Sequence, residues 1–118
     1  MAKIFSGIFL LVLLSSCYDD NEEILYGLTC DTSVVTYTAS IKPVLASYCI
    51  SCHSGGFPSG NVKLDTYTDV RAVALNGRLY GSISHTNGFV AMPPGTGLLS
   101  DCTIARFRIW INNGSPNN

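Results

Sequence analysis

Two cysteines and a histidine stand together in the segment CISCHS, which runs from Cys49 to Ser54. Cys49 and Cys52 are separated by two residues, and His53 follows the second cysteine directly. Three kinds of site use cysteine and histidine at such short spacing: a zinc site, a dithiol redox pair and a covalent haem attachment site. The rest of the sequence indicates which of these three kinds of site is favoured.

The first two chemistries lack their usual context in this sequence. Structural zinc needs four ligands, commonly from two closely spaced pairs, whereas Cys30 and Cys102 lie far apart and His85 is single. Redox dithiols of the thioredoxin kind belong to a βαβ pattern, which the sequence does not show. Cys-x-x-Cys-His is the c-type haem attachment signature. There, two thiolates add to the vinyl groups of the porphyrin and the histidine becomes an axial iron ligand, so the spacing favours haem.

The second axial ligand of a haem iron has two candidates. Met92 lies well beyond His53 in a loop, and Pro93 and Pro94 stiffen the backbone after it. The only other methionine is the initiator, and a thioether opposite histidine raises the reduction potential of haem iron. A gap-filling core methionine is the alternative reading of Met92. His85 competes as the ligand, although a surface histidine or one at the haem rim also explains it.

Residues 1–29 predict where the protein is located rather than part of its fold. In residues 1–16, Lys3 precedes an apolar run that is shorter than the about 20 residues needed to cross a bilayer, which is typical of a signal peptide. The ending LSSC resembles a bacterial lipobox and predicts lipidation of Cys17, with ordinary cleavage and a free thiol as the alternative. Residues 17–29 would then be a lipid-anchored acidic linker. We expect an exported protein, lipid-anchored in the bacterial envelope and facing the periplasm or the cell surface.

Five cysteines in an exported chain leave one over if the others pair. Lipidation of Cys17 accounts for the odd one, and Cys49 and Cys52 belong to the attachment motif. Cys30 and Cys102 remain, and we predict a disulfide between them. It would close a loop of roughly 70 residues and contribute about 4 kcal/mol in the chain-entropy model. Two unpaired thiols or another pairing stay open, because sequence does not fix connectivity.

Size and charge limit the domain and its partners. The chain has 118 residues and a net charge of −1, so residues 30–118 allow one small domain, which commonly depends on a disulfide, metal or cofactor. The basic residues are scattered, which excludes a patch suited to nucleic acid.

Hydrophobic spacing predicts an all-α domain with long Gly/Pro loops. We expect a first helix capped at Thr38 or Ser40 that runs into the CISCH motif, and a second capped at Thr68 or Asp69 and ending at the first Asn-Gly pair. RLYGSIS predicts a third helix, and a fourth begins at a Ser100 cap. Only SVVTYT reads as extended. The apolar stripe of the first helix is Ile41, Val44, Leu45 and Tyr48, and that of the last is Ile104, Phe107, Trp110 and Ile111.

The order of these parts resembles that of small bacterial class I c-type cytochromes, the monohaem lipoprotein kind. A helix ends in CISCHS, a Gly/Pro loop and short helices follow, and then VAMPPG precedes LSDCTIARFRIWINNG. The resemblance covers residues 30–114. It implies the cytochrome c fold, with the N-terminal and C-terminal helices crossing beside covalently bound haem c. It also implies electron transfer between an unidentified redox donor and acceptor, and we expect no enzymatic activity of its own.

Several residues are expected around such a haem. A ligating His53 should donate its second ring N–H to a backbone carbonyl, and the resemblance suggests that of Pro58. Arg71 and Arg78 are candidates to face the propionates, and ordinary surface arginines are an equal alternative. Two aromatic residues could pack on the porphyrin, although core packing also explains them: Phe107 and Trp110.

Two other functions stay open at this point. A haem protein with an open or labile sixth site would act as a peroxidase-like catalyst or a sensor, and it predicts that Met92 does not bind iron. A non-haem, membrane-anchored binding module would form a local disulfide between Cys49 and Cys52 and would be colourless.

Overall fold

The computed structural model describes residues 30–118. The predicted signal peptide, the predicted lipidation site Cys17 and the predicted acidic linker lie outside this range. In the described part, helices are the only regular secondary structure, which confirms the all-α class. The segment SVVTYT forms no strand there. No helix between residues 30 and 118 has the length and apolar character needed to cross a membrane.

The first helix starts earlier than its hydrophobic spacing predicts. A π-helical turn, Tyr37–Ile41, leads directly into α1, Lys42–Tyr48. Thr36 is the N-cap, because its side chain accepts a hydrogen bond of 3.1 Å from a backbone N–H three residues later. The predicted caps Thr38 and Ser40 lie inside the turn and are wrong. The wide π turn extends the helix ahead of the 3.6-residue pattern.

The apolar stripe of the first helix is buried at Ile41 and Leu45 but not at Tyr48. Ile41 is 0% exposed and Leu45 is 1% exposed, whereas Tyr48 is 53% exposed. Pro43 lies in the first turn of the α-helix, where its missing N–H costs no hydrogen bond. The helix ends at Tyr48 with Cys49 as its C-cap. The prediction that Tyr48 is buried is therefore wrong, because the core ends before the last turn of the helix.

Two short helices follow the motif loop. The first, α2, spans Tyr67–Leu75 and begins with a capping box. Thr66 accepts the backbone N–H of Asp69, and the Asp69 carboxylate accepts the N–H of Thr66. The Thr66 hydroxyl also donates to the Asp69 carboxylate, at 2.7 Å, and this hydrogen bond, followed by the one from the Thr66 N–H, lowers the pKa of Asp69. The predicted cap at Thr68 or Asp69 is thus wrong. The predicted third helix is present as α3, Arg78–Ile83.

The last helix and the disulfide agree with the predictions. Helix α4 spans Asp101–Asn112, and the hydroxyl of its N-cap Ser100 accepts the N–H of Thr103. Cys30 and Cys102 form a disulfide with a Cα–Cα distance of 5.4 Å. The bridge ties the start of the described chain to the first turn of α4.

The core lies between the first helix, α2, α3 and α4. Trp110 is 0% exposed, and its ring centroid lies 5.6 Å from that of Tyr37. The Tyr67 ring also packs against Tyr37, edge to face, with 5.2 Å between the two ring centroids. The buried apolar cluster comprises Tyr37, Ile41, Leu45, Leu64, Val70, Ala74, Leu79, Ile83, Phe107 and Trp110.

The segment after α4 folds back onto the start of the first helix. The Trp110 indole N–H donates to the Pro116 carbonyl at 2.9 Å, and the Tyr67 hydroxyl donates to the Ser115 carbonyl at 2.7 Å. Asn118 accepts the N–H of Tyr37 through its side-chain oxygen, at 2.9 Å. These bonds fasten the two ends of the domain together, a contact that the sequence does not predict.

Candidate functional site

A cavity of about 460 Å³ lies beside the helical core. This volume falls in the range of about 300 to 1,000 Å³ that is typical of cofactor and small-molecule sites. His53, from the attachment motif, and Met92, from the loop before α4, both line it. Much of the remaining wall is apolar: Val62, Leu64, Val73, Leu79, Phe89 and Val90. The cavity therefore brings an imidazole and a thioether from separate segments into one apolar space.

His53 is held in place by its backbone and by its ring. Its N–H donates to the Cys49 carbonyl at 3.0 Å, and its own carbonyl accepts the N–H of Leu64 at 2.8 Å. The ring Nδ1 lies 2.9 Å from the Val62 carbonyl oxygen. A carbonyl oxygen only accepts, so Nδ1 carries the proton and Nε2 keeps its lone pair. The site thus contains an oriented imidazole with Nε2 free to bind a metal.

The partner of the His53 ring is Val62 and not Pro58, so that prediction is wrong. The Pro58 carbonyl instead accepts the N–H of Asn61 at 3.0 Å. This bond belongs to a 3-10 turn, Ser59–Asn61, that follows Pro58 directly. The turn thus takes up the Pro58 carbonyl, and the Val62 carbonyl, directly after the turn, binds the ring.

The two motif cysteines are free thiols in different surroundings. Cys49 caps α1, donates its N–H to the Leu45 carbonyl at 2.9 Å and is half-buried. This burial raises the pKa of the Cys49 thiol to about 11. Cys52 is exposed, and its carbonyl accepts the N–H of Ser59 at 2.8 Å. The local disulfide expected of a non-haem binding module is not formed.

Met92 and His85 occupy different places relative to the cavity. Met92 is half-buried and lines it, whereas His85 is exposed and does not. The Met92 N–H donates to the Ser82 carbonyl at 3.0 Å. The His85 ring Nε2 lies 3.2 Å from the Met92 carbonyl oxygen. Of the two predicted candidates for the second axial position, the structure brings only Met92 to the cavity with His53.

The predicted surroundings of the site divide into two groups. Arg78 lines the cavity, whereas Arg71 is exposed on α2 and does not. Phe107 and Trp110 are 1% and 0% exposed in the core and contribute nothing to the cavity wall. Core packing, the default expectation for these two residues, is therefore confirmed, because both side chains fill the space between the helices.

Sequence reasoning missed some residues that shape the site. The Val62 carbonyl gives no sequence signal, since every backbone carbonyl is alike. Gly81 does give one: a glycine inside a helical segment commonly marks a close approach. Here the ring of Phe89 packs against α3, and a Cβ at Gly81 would lie 2.5 Å from that ring. Gly81 therefore allows Phe89 to form part of the cavity wall.

A zinc site finds no support in this geometry. Across residues 30–118, no three side chains of His, Cys, Asp or Glu come together as a metal site, although structural zinc needs four such ligands.

Comparison of the chain with protein-family models, with curated proteins and with solved structures finds no match. The function is therefore argued from the residues of the cavity.

Proposed function

We propose that this protein is a monohaem c-type cytochrome that carries electrons between redox proteins. One observation carries the proposal: His53 and Met92, from separate segments, line the same apolar cavity. His53 is also the histidine that directly follows the free thiols of the Cys-x-x-Cys pair. The proposal is thus supported by two candidate iron ligands that line one cavity, and by two free thiols that precede His53 in the sequence.

The residue set fits haem and fits the rival chemistries poorly. Haem needs a mostly apolar space, a nitrogen ligand with a free lone pair and, for electron transfer, a second protein ligand such as a thioether. The cavity supplies the space, His53 the Nε2 atom and Met92 the sulfur. Its volume of about 460 Å³ is also suited to a cofactor.

Each side chain then has a distinct role. Cys49 and Cys52 would hold the porphyrin covalently, and His53 and Met92 would hold the iron from its two axial sides. Bound haem would supply one-electron iron chemistry. Because the protein would fill both axial positions, it leaves no coordination site for a substrate. This arrangement favours an electron carrier over an enzyme.

The hydrogen bond between His53 and Val62 supports the axial role of the imidazole. Donation of the Nδ1 proton to the Val62 carbonyl fixes the tautomer and the ring orientation. Such a bond also raises the basicity of the ligating nitrogen. Leu64 and Leu79, which line the same cavity, would help to exclude water from the iron. Arg78 is the cationic residue of the wall and would face the propionates.

We also infer export and a lipid anchor at Cys17. The disulfide between Cys30 and Cys102 supports an oxidising compartment, because such bonds persist outside the cytosol. The acidic residues 18–29 would then link the membrane to the domain. The partners would be an electron donor and an electron acceptor at that membrane.

The absorption spectrum of residues 18–118, produced with cytochrome c maturation, tests this function. We expect a low-spin ferric and ferrous protein with the weak near-infrared band of methionine sulfur bound to ferric iron. The Met92→Ala variant should lose that band, lower its reduction potential and bind added imidazole. A high-spin wild type would instead indicate an open sixth site, and a colourless protein would contradict the cytochrome proposal.

A further inference from the structure

Helix α3 ends in a turn that places a histidine in an unusual backbone conformation. The N–H of His85 donates to the Ser82 carbonyl at 3.3 Å, and the N–H of Thr86 donates to the Gly81 carbonyl at 2.9 Å. This pair of bonds is the Schellman motif, in which the residue after the C-cap is left-handed. His85 is that residue, with φ of 52°.

Glycine is the usual residue at this position of a Schellman motif, and asparagine is the next most common. A histidine there costs conformational free energy that glycine would not, because its Cβ is crowded in the left-handed region. The turn itself therefore gives no reason for a histidine. A contact made by the His85 side chain is the feature that offsets this cost.

That contact is made to the backbone of Met92. The His85 Nε2 lies 3.2 Å from the Met92 carbonyl oxygen, and because a carbonyl only accepts, Nε2 carries the proton. The Met92 N–H donates to the Ser82 carbonyl at 3.0 Å. Both backbone polar groups of Met92 are thus bound to the same helix end, one of them by the histidine ring.

We propose that His85 is a positioning residue that keeps the Met92 thioether in the cavity. This inference rests on the proposed function. The segment between α3 and α4 is not helical, so Met92 depends on a few local hydrogen bonds for its place. Loss of the His85 bond frees the Met92 carbonyl and loosens the backbone that presents the sulfur. An external ligand then competes more easily for the iron.

The deciding variant is His85→Gly in the full, haem-loaded chain. Glycine removes the ring N–H but adopts the left-handed turn without strain, so thermal stability should be retained or raised. We expect imidazole to bind the ferric protein about fivefold more tightly, the factor that one lost hydrogen bond gives. The near-infrared sulfur band should weaken in parallel. Tighter imidazole binding without a loss of thermal stability separates a positioning role from a general loosening of the fold.

Two matched variants complete the test. In His85→Gln the side-chain amide can reach the Met92 carbonyl, so the sulfur band and the imidazole affinity should return toward wild type. Asn87→Gly adds the same backbone freedom to an exposed residue of the same loop without removing a contact to Met92, and it should leave imidazole affinity unchanged.

The outcomes distinguish this inference from the proposed function. Wild-type imidazole affinity and an intact sulfur band in His85→Gly would overturn the positioning role while leaving the cytochrome in place. A wild type without the sulfur band that becomes high-spin in His85→Gly would make His85 the iron ligand and overturn the positioning role. A colourless wild type would overturn the proposed function and, with it, the role of His85.

Discussion

The helical core and the cavity side of this domain are built differently. On the core side, Trp110 and Ile41 are 0% exposed, and a disulfide and the segment after α4 tie the chain ends together. On the cavity side, His53 and Met92 are half-buried, and a long non-helical segment carries Met92. This difference indicates that the core stabilises the fold, whereas the cavity side is less tightly packed and carries the residues of the haem site that we propose.

The largest expected effect comes from the centre of the core. Trp110→Ala should lower the free energy of unfolding by about 3 to 5 kcal/mol, because it leaves a cavity and removes the hydrogen bond to the Pro116 carbonyl. Urea denaturation followed by circular dichroism measures the loss, and Trp110→Phe serves if the alanine variant does not fold. On the cavity side Val90 is 71% exposed, so Val90→Ala should change stability by less than about 0.5 kcal/mol. Similar losses at both positions would contradict the comparison.

The disulfide should contribute to stability without affecting the site. Replacing Cys30 and Cys102 together by serine should cost about 2 to 4 kcal/mol of unfolding free energy, because the unfolded chain gains freedom. The near-infrared spectrum of the folded variant should match that of the wild type, since neither cysteine lines the cavity. A changed spectrum would show that the two sides are coupled through α4.

Gly81, which packs against the cavity-wall residue Phe89, gives a further test of the difference between the core side and the cavity side. Gly81→Ala should cost about 1 to 3 kcal/mol, because the new Cβ would meet the Phe89 ring and push it from the wall. We also expect an increased imidazole affinity, as the displaced ring opens the cavity. Gly56→Ala is the control, since a Cβ there meets no atom within 4 Å. Equal effects of both substitutions in urea denaturation would mean that Phe89 does not depend on Gly81.

The smallest loss of stability is expected at the contact between α2 and the segment after α4. Tyr67→Phe removes the hydroxyl that donates to the Ser115 carbonyl and should cost about 1 kcal/mol. Tyr48→Phe is the matched control, because Tyr48 is 53% exposed on α1. Denaturation midpoints of the two variants measure the difference. If the two midpoints coincide, the hydrogen bond between Tyr67 and the segment after α4 adds little to the stability of the domain.

Some elements were predictable because their signals are local. Ser100 is a good N-cap residue and precedes an amphipathic run, so the start of α4 followed from these two local signals. The four candidate caps at the other two predicted helix starts were wrong, because neighbouring Thr, Ser and Asp side chains offer equivalent oxygens. At α2, for example, Thr66 became the cap and Asp69 its partner, a choice that the reciprocal hydrogen bonds made.

By itself, the sequence determined the helical class and the cysteine pair with its histidine, because these depend on local patterns. Counting cysteines favoured the disulfide between Cys30 and Cys102, and the structure fixed that pairing. Only the tertiary structure decided that Val62 orients His53 and that Met92, rather than His85, lines the cavity. Backbone carbonyls are identical in sequence, and two side chains seven residues apart in a loop have no fixed relation. Their positions follow from how the loop packs against α3, which is a property of the folded chain.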